Sequence, residues 1–491
     1  MKNKASFITE CKLWGILFIS LNLIFLFYHT TFFWGNHDWD WVKGTTQVLA
    51  LDTGMFEGRY SKFILNVMLF GGQVLPILNN LAAFALLALG IVFLTSYWQI
   101  RKFSSRLLVA LLPITAPYIL GWLYFPINIL GNFSAVALVS YGLITAEKKQ
   151  GKDKLRAIFC FLIALGVYPS VAEMMLICFS IRCIVMPIKN IKEFTNIFSP
   201  ILFALIVFKL LIFIMGKLGI VYMGHYNLQT PSLAELVHRI PEMIALVLSQ
   251  LITTQPFLTM PYKGLIIILL TLALISTPKQ WLWWLIALSS TVLSTFLTAE
   301  PEETAYAPRI NFYGLNFLIA GAIAVLLTNK QRQRNLGYIL SGITIWWGIT
   351  LNIEATKIWY MGKSAETSLV TRITEEIETK SSNNILIPVI AGELPLRPRY
   401  YATPYQKESQ YELNGSLLVR HIPSGMFNFY AVTPIFYNYS QISDMSKELY
   451  QFLHTASRPW PAHKSLFVDE KYAVILLTKE GISAIKAQLP Y

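Results

Sequence analysis

Long apolar runs limit what this chain can fold into. Residues 13–33 and 201–218 carry few charges over lengths that cross a hydrocarbon core, which takes about 20 residues in a helix. Charged residues make up 14 % of the chain, against about 25 % in soluble domains. Lipid offers the backbone no hydrogen-bond partners, so only helices and closed barrels span it, and these runs have helical length. The sequence predicts a polytopic α-helical membrane protein.

Apolar runs recur along the first two thirds of the chain and predict about eleven crossings. We place them at residues 12–33, 74–97, 107–124, 128–145, 157–168, 171–187, 198–216, 262–277, 280–298, 311–328 and 336–354. The fifth run is too short to cross alone, and we expect it to form a hairpin with the sixth that breaks at Tyr168-Pro169-Ser170, since proline ends helices. An odd number of crossings places the termini on opposite sides.

Loop charges orient these crossings. The chain carries a net charge of +13, and its cations collect in alternate loops: Arg101, Lys102 and Arg106; Lys148, Lys149, Lys152, Lys154 and Arg156; Arg182, Lys189 and Lys192; Lys279; Lys330, Arg332 and Arg334. Basic loops face the cytoplasm in membrane proteins, which explains the charge without a nucleic-acid partner. We therefore expect a multi-pass protein of a bacterial inner membrane with a cytoplasmic N-terminus. Residues 34–73 and the C-terminal part then lie outside the cytoplasm, in the periplasm.

The character of the chain changes near residue 354. Charges become frequent, and strand-like runs at 384–390, 427–432 and 472–477 alternate with a helix-like run at 443–454. The sequence predicts a transmembrane domain at 1–354 and a periplasmic α/β domain at 355–491, a size of about 130 residues that suits one small domain.

Two acids lie among tryptophans just after the first crossing. Asp38 and Asp40 alternate with Trp39 and Trp41, so an extended backbone directs the carboxylates to one side and the indoles to the other. A carboxylate at a membrane boundary is a functional candidate and can serve as a general base. The alternatives are solvated loop acids and tryptophans of the interfacial belt. The functional interpretation of Trp39 and Trp41 is a stacking surface for a sugar ring or a lipid.

Two further groups share the predicted outer side. Glu57-Gly58-Arg59-Tyr60 contains a fixed cation that can hold a phosphate through paired hydrogen bonds, with Glu57 and Tyr60 as substrate contacts. An arginine reaching to the interface is the alternative. The loop at 299–309 carries acids and one arginine that suit a lid over the same site: Glu300, Glu302, Glu303 and Arg309. A merely solvated acidic loop is the alternative there.

Other chemistries lack their motifs. The sequence has no phosphate-cradling Gly-rich loop, His-Glu-x-x-His, Gly-x-Ser-x-Gly or Cys-x-x-Cys pattern, which argues against an energy-coupled pump. Mid-helix charges typical of ion-coupled transporters are few, mainly Glu173 and Lys209. No metal-site spacing is present and no cofactor is predicted with certainty, although the loop acids offer oxygen ligands that suit a divalent cation.

An Asn-x-Asp-Trp-like motif, a following Gly-Arg-aromatic, many crossings and a polar C-terminal domain together resemble the type II Gtr glucosyltransferases, serotype-converting enzymes with a GT-C-type membrane fold. The similarity is strongest over residues 34–75. It implies transfer of glucose from a polyprenyl-phosphate donor to the O-antigen repeat of lipopolysaccharide, on a lipid-linked or lipopolysaccharide acceptor at the periplasmic face. The family's loop acid maps to Asp38. His37 and Trp39 flank it where an acidic pair is more usual, so the choice between Asp38 and Asp40 stays open.

The expected mechanism is an inverting single displacement. One aspartate deprotonates the acceptor hydroxyl, while Arg59 and Arg309 hold the donor phosphate. The C-terminal domain is expected to bind the acceptor glycan. Three alternatives stay open: a non-catalytic flippase or exporter of lipid-linked sugars, an O-antigen polymerase, and a related transferase with another sugar or acceptor.

Overall fold

A computed structural model gives the architecture of the chain. It describes residues 2–30, 58–70, 76–123, 126–221, 233–242, 244–245, 248, 259–293, 312–380, 387–391, 446–459, 462, 464–470, 472–477 and 479–487. These residues fall into two compact units, one ending at Thr356 and the other beginning at Lys357. The predicted domains at 1–354 and 355–491 stay a prediction, because one helix, Gln331–Lys380, runs through the division.

The first unit is helical. Its helices are α1 (Lys2–Ile24), α2 (Leu26–Thr30), α3 (Tyr60–Phe70), α4 (Pro76–Tyr97), α5 (Phe103–Thr115), α6 (Leu120–Leu123), α7 (Pro126–Ala146), α8 (Gly151–Val167), α9 (Val171–Val185), α10 (Ile191–Lys217), α11 (Leu233–His238), α12 (Met260–Ser276), α13 (Trp281–Ser290), α14 (Phe317–Thr328) and the first part of α15 (Gln331–Lys380), which continues into the second unit. Short 3₁₀ turns, Pro117–Ile119 and Pro278–Gln280, follow α5 and α12, and a π-helical turn, Phe312–Asn316, precedes α14.

Several of these helices are long and apolar enough to cross a membrane, which makes this a helical membrane protein. Within the described residues, five pass: α1, α4, α7, α10 and the first half of α15. Two bent pairs raise the number to seven, α5 with α6 (44°) and α12 with α13 (98°). The predicted eleven crossings are not confirmed. The apolar runs in the sequence reflect composition and do not fix helix length. Helices α8 and α9 have only 17 and 15 residues, and prolines interrupt the two bent pairs.

Helices α4 and α7 pack side by side and run parallel. Phe84 meets Phe133, with ring centres 6.2 Å apart, and Phe93 meets Tyr141 at 5.7 Å, so both helices advance in the same direction. Gly90 lies between these contacts. A Cβ atom on it would lie 2.7 Å from the backbone nitrogen of Ala137, closer than real Cβ atoms approach. The absence of a side chain is what lets the two backbones pack.

We expect Gly90→Ala to destabilise the protein by about 1–3 kcal/mol, the usual cost of overpacking. The matched variant is Gly15→Ala, because nothing lies within 4 Å of a Cβ built on Gly15. There, removal of a helical glycine is expected to stabilise by about 0.5–1 kcal/mol. Thermal unfolding in detergent measures both variants, and equal melting temperatures would contradict the close approach of α4 and α7.

Cations collect where α4 and α7 end. Arg106, near the start of α5, lies 3.9 Å from Glu10, and Arg182 pairs with Glu147 at 2.7 Å. Burial raises the pKa of Glu147, and the facing Arg182 lowers it in part. Because α4 and α7 run parallel, both ion pairs lie at one end of the bundle, which we call the basic end. The loop cations Lys102, Lys148 and Arg156 follow the same helix ends.

The second unit contains a small mixed sheet. Its strands are β1 (Ile387–Ala391), β2 (Leu466–Val468) and β3 (Tyr472–Leu476), in the order β1-β3-β2, with β1 parallel and β2 antiparallel to β3. Helices α16 (Lys447–Thr455) and α17 (Lys479–Lys486) supply apolar residues to its core, which includes Leu449, Leu453, Val474 and Ile482. The strands at 384–390 and 472–477 and the helix at 443–454 were predicted nearly in place. The predicted strand at 427–432 lies outside the described residues.

Candidate functional site

Arg59 lies just before α3. Its guanidinium carbon is 4.8 Å from the centre of the Tyr168 ring, within cation–π range. Gly58 precedes it with a φ of +73°, and a Cβ there would lie 2.6 Å from Cδ1 of Ile212, so the turn requires glycine. The predicted phosphate ligand is therefore a half-buried cation stacked on an aromatic ring.

Tyr60 anchors α3 to the end of α8. Its hydroxyl donates to the carbonyl of Leu162 at 2.8 Å, and burial raises the pKa of Tyr60 to about 12, so the hydroxyl stays protonated. Gly166 leaves room for this contact, because a Cβ there would collide with the Tyr60 ring. This packing fixes the helix that follows Arg59. The predicted substrate contact of Tyr60 stays a prediction.

Three aromatic side chains pack together beneath Arg59. The ring centres of Trp122 and Tyr168 are 4.8 Å apart, those of Trp122 and Tyr313 5.9 Å, and those of Tyr168 and Tyr313 6.2 Å. The Tyr313 hydroxyl donates to Oδ1 of Asn132 at 3.0 Å. Asn132 lies near the start of α7, so this cluster occupies the end of the bundle opposite the basic end.

We expect Tyr313→Phe to lower stability by about 1–2 kcal/mol, because it leaves the buried Asn132 oxygen without its donor. Tyr262→Phe is the matched control. The Tyr262 hydroxyl is buried and has no hydrogen-bond partner among the described residues, so its removal is expected to be neutral or slightly stabilising. Melting temperatures of the two variants make the comparison. A loss in Tyr262→Phe as large as in Tyr313→Phe would contradict this assignment.

Glu173 is a buried acid beside the aromatic cluster. It lies in the first turn of α9, four residues after Pro169, and is 0 % exposed. Gly314 of the π-helical turn faces it, since a Cβ on Gly314 would lie 3.3 Å from Oε2 of Glu173. Ionisable groups are expensive to bury among membrane helices and usually have a function. Glu173 therefore joins the candidate site.

Ring contacts extend from this cluster to the end of α2. His29 lies 5.2 Å from Phe84, Phe84 lies 6.2 Å from Phe133, Phe133 lies 5.7 Å from Phe312, and Phe312 lies 5.3 Å from Tyr313. The rings form one continuous set, which we call the aromatic layer: His29, Phe84, Phe133, Phe312, Tyr313, Trp122 and Tyr168. It brings together residues from α2, α4, α6, α7, the π-helical turn and the α8–α9 break.

Described residues beside both predicted acidic segments lie on the aromatic layer. Residues 31–57, which contain Asp38 and Asp40, lie in the chain between His29 and Arg59. Residues 294–311, which contain the predicted loop at 299–309, precede Phe312 in the chain, and Thr291 before them packs against Gly314. The predicted site residues inside these loops lie outside the described residues: Asp38, Trp39, Asp40, Trp41, Glu57, Glu300, Glu302, Glu303 and Arg309. Their roles stay predictions, whereas the flanks of both loops meet at one place.

A broken helix passes close to the layer. Pro117 has no N–H to donate to the carbonyl of Pro113. The N–H of Ile119 donates to the carbonyl of Ala116 instead of the carbonyl of Thr115. Side-chain amides from two other helical segments replace these donors: Asn316 reaches the Pro113 oxygen at 3.0 Å, and Asn352 reaches the Thr115 oxygen at 2.7 Å. Exposed carbonyls inside a membrane protein need such partners. The two amide hydrogen bonds therefore stabilise the break between α5 and α6.

Metal ligation is not visible in the described part of the chain, where no three His, Cys, Asp or Glu side chains come close enough to hold an ion. The predicted oxygen ligands all belong to the two acidic loops, so the possible divalent cation stays a prediction.

Sequence reasoning missed most of the aromatic layer. Trp122, Tyr313 and Phe133 lie in apolar runs, where aromatic residues are ordinary core residues. Asn316 and Asn352 offered a signal, since an amide in an apolar helix needs a partner.

No protein-family model, curated protein or solved structure matches this chain. The resemblance to the type II Gtr glucosyltransferases rests on the short motifs of residues 34–75 and on the predicted topology.

Proposed function

We propose that the protein is a membrane glycosyltransferase that moves glucose from a polyprenyl-phosphate donor to the O-antigen repeat of lipopolysaccharide. The proposed site lies on the periplasmic face of a bacterial inner membrane. The protein then carries about eleven crossings in a GT-C-like arrangement, with the C-terminal domain in the periplasm as the acceptor-binding part.

One observation supports this proposal above the others. The described residues on either side of the two acidic segments lie on the aromatic layer, at the end of the bundle where Arg59 stacks on Tyr168. A sugar transferase needs a base, a cation for the departing phosphate and apolar surface for a sugar or lipid. The loop acids, Arg59 and the aromatic layer are the matching groups.

The sidedness follows from charge. The basic end carries Arg106 and Arg182 and the cationic loops beside them, and basic loops usually face the cytoplasm. Arg59 lies at the opposite end, which we assign to the periplasm. No nucleotide sugar is available there, so a lipid-linked donor is the suitable substrate and explains why a membrane body is needed.

The chemistry is a single displacement. Asp38 or Asp40 takes the proton of the acceptor hydroxyl, whose oxygen attacks the anomeric carbon of glucose. The bond from that carbon to the phosphate oxygen breaks, and the polyprenyl phosphate leaves with the electron pair. Arg59, with Arg309 as a second cation, stabilises the developing negative charge, so the leaving group needs no proton. The configuration at the anomeric carbon inverts.

Reconstitution separates this proposal from a flippase or exporter. Purified protein in liposomes receives a polyprenyl-phosphate donor with labelled glucose and an O-antigen acceptor. A transferase moves label to the acceptor and releases polyprenyl phosphate. Label that changes leaflet with the donor intact would instead identify a flippase, and longer acceptor chains without added label would identify a polymerase.

A further inference from the structure

Three helices meet at the basic end around the start of α5. Lys12 of α1 lies over the Phe103 ring, with Nζ 5.4 Å from the ring centre. Lys102, the residue before α5, lies over the Tyr338 ring of α15 in the same way, at 5.2 Å. The hydroxyl groups of Tyr338 and Ser105 share a hydrogen bond at 2.7 Å. These contacts hold two ammonium groups side by side at the start of α5.

The cations of this cluster lack acidic partners. Among the described residues, no carboxylate lies within ion-pair distance of Lys12, Arg101 or Lys102, and all three side chains are exposed. The neighbouring acid, Glu10, faces Arg106 instead, at 3.9 Å. The cluster therefore presents positive charge that an anion from outside the described chain would neutralise.

The cluster lies at the depth of the lipid headgroups. Lys12 falls inside the apolar window of α1, Phe7–Ile24, and Tyr338 falls inside that of α15, Gln331–Lys357. A lysine near the edge of such a window keeps its methylene groups in apolar surroundings and extends its ammonium group to the headgroups. Tyrosine also concentrates at this level. Lipid phosphates lie at the same depth as the two ammonium groups.

An apolar groove continues from the cluster along α5. Helix α5 lies between α1 and α15, which contact it through Phe103 and Ser105. The face of α5 between those two helices is only partly covered and carries Ser104, Leu107, Leu108 and Leu111. Residues three and four apart follow one stripe of a helix, so this groove extends about 10 Å from the cluster. Exposed isoleucines flank it, Ile19 on α1 at 59 % and Ile339 on α15 at 60 %.

We infer that an anionic phospholipid binds here, with its phosphate on Lys12 and Lys102 and one acyl chain in the groove along α5. The two ammonium groups match the negative phosphate, and the leucine stripe matches a hydrocarbon chain. Basic pockets between membrane helices select anionic headgroups on the cytoplasmic side in this way. The inference does not depend on the proposed function, because the cluster lies at the end of the bundle opposite Arg59.

The first measurement is lipid binding by the full-length protein in neutral detergent, followed by native mass spectrometry. We expect phosphatidylglycerol to bind more tightly than phosphatidylcholine, and Lys12→Gln/Lys102→Gln to raise the Kd for phosphatidylglycerol about 10–30-fold. Lys149→Gln/Lys152→Gln is the matched control, because it removes the same charge from exposed lysines at the basic end. We expect this control to change the Kd less than about twofold.

Three outcomes of this titration would overturn the inference. Equal Kd values for the two lipids would show that the headgroup charge is not recognised. An equal loss in both double variants would show attraction by net charge alone. Competition by inorganic phosphate at the concentration of the lipid would show a site for free anions, without a contribution from the acyl chain.

The second measurement tests the groove. Gly342 lies one turn after Tyr338 on α15, and nothing lies within 4 Å of a Cβ built on it, so we expect Gly342→Phe to melt at the wild-type temperature. The added ring would occupy the groove and raise the Kd for phosphatidylglycerol about tenfold, the effect of losing contact with about two methylene groups. Gly264→Phe is the matched control at an equally open glycine of α12 and is expected to leave the Kd unchanged. An unchanged Kd in folded Gly342→Phe would overturn the inference.

Discussion

Replacing Asp38 and Asp40 together by asparagine is expected to abolish sugar transfer while the protein still folds and inserts. A positioned general base contributes about 10²–10⁴-fold to rate, and asparagine keeps the shape of the side chain without accepting a proton. Each single variant then identifies the base, because losing the neighbouring acid is expected to cost less. Transfer of labelled glucose in detergent or liposomes measures the rates.

Asp52→Asn is the matched control for this experiment, since Asp52 belongs to the same loop but lies outside the acid-tryptophan motif. We expect it to retain wild-type rates. Melting temperatures show that all the variants are folded. Wild-type transfer by the double variant would exclude both aspartates as the base and would leave the buried Glu173 as the next acid to test.

Arg59→Ala is expected to lower the transfer rate by about 10²–10³-fold, the range found when one donor to a developing negative charge is removed. Arg59→Lys keeps the charge but loses the planar, paired donors and the fit over Tyr168, so it should recover only part of the rate. The loss should appear mainly in kcat, because the phosphate gains charge as the bond breaks.

Arg156→Ala provides the control for removing a cation. Arg156 lies at the basic end, where its exposed side chain pairs with Asp153 at 3.4 Å. We expect this variant to transfer sugar at the wild-type rate. If Arg59→Ala were equally active, Arg59 would be a packing residue of the α3 turn and the phosphate would need another ligand.

The sequence predicted structural features that depend on residues close together in the chain. The break at Tyr168-Pro169-Ser170 was predicted, and α8 ends at Val167 and α9 begins at Val171. Apolar composition dictates helices in lipid, and proline ends them. Two strands of the small sheet were predicted, at 384–390 and 472–477, whereas β2 and the strand order were not.

Contacts between segments far apart in the chain could not be predicted from the sequence. The aromatic layer joins His29 to Phe84 and Phe312 to Tyr313 and Trp122, and nothing local to any of these residues reports the neighbour. The sequence drew attention to Trp39 and Trp41 because they alternate with acids, whereas Trp122 lies in an apolar run where a tryptophan is unremarkable. The bend after α5 was missed because apolar content continues across it, whereas the break after α12 was predicted as a loop at Lys279 between two crossings.

The central claim, sugar transfer to the O-antigen, is tested most directly by the mass of the lipopolysaccharide repeat unit. Bacteria of one strain would carry an empty vector, the wild-type protein or the double asparagine variant, and mass spectrometry would measure the repeat from each. We predict that the wild-type protein adds one hexose per repeat and that the double variant leaves the repeat as in the empty-vector cells. An unchanged repeat mass in cells that contain folded wild-type protein would contradict the proposed function.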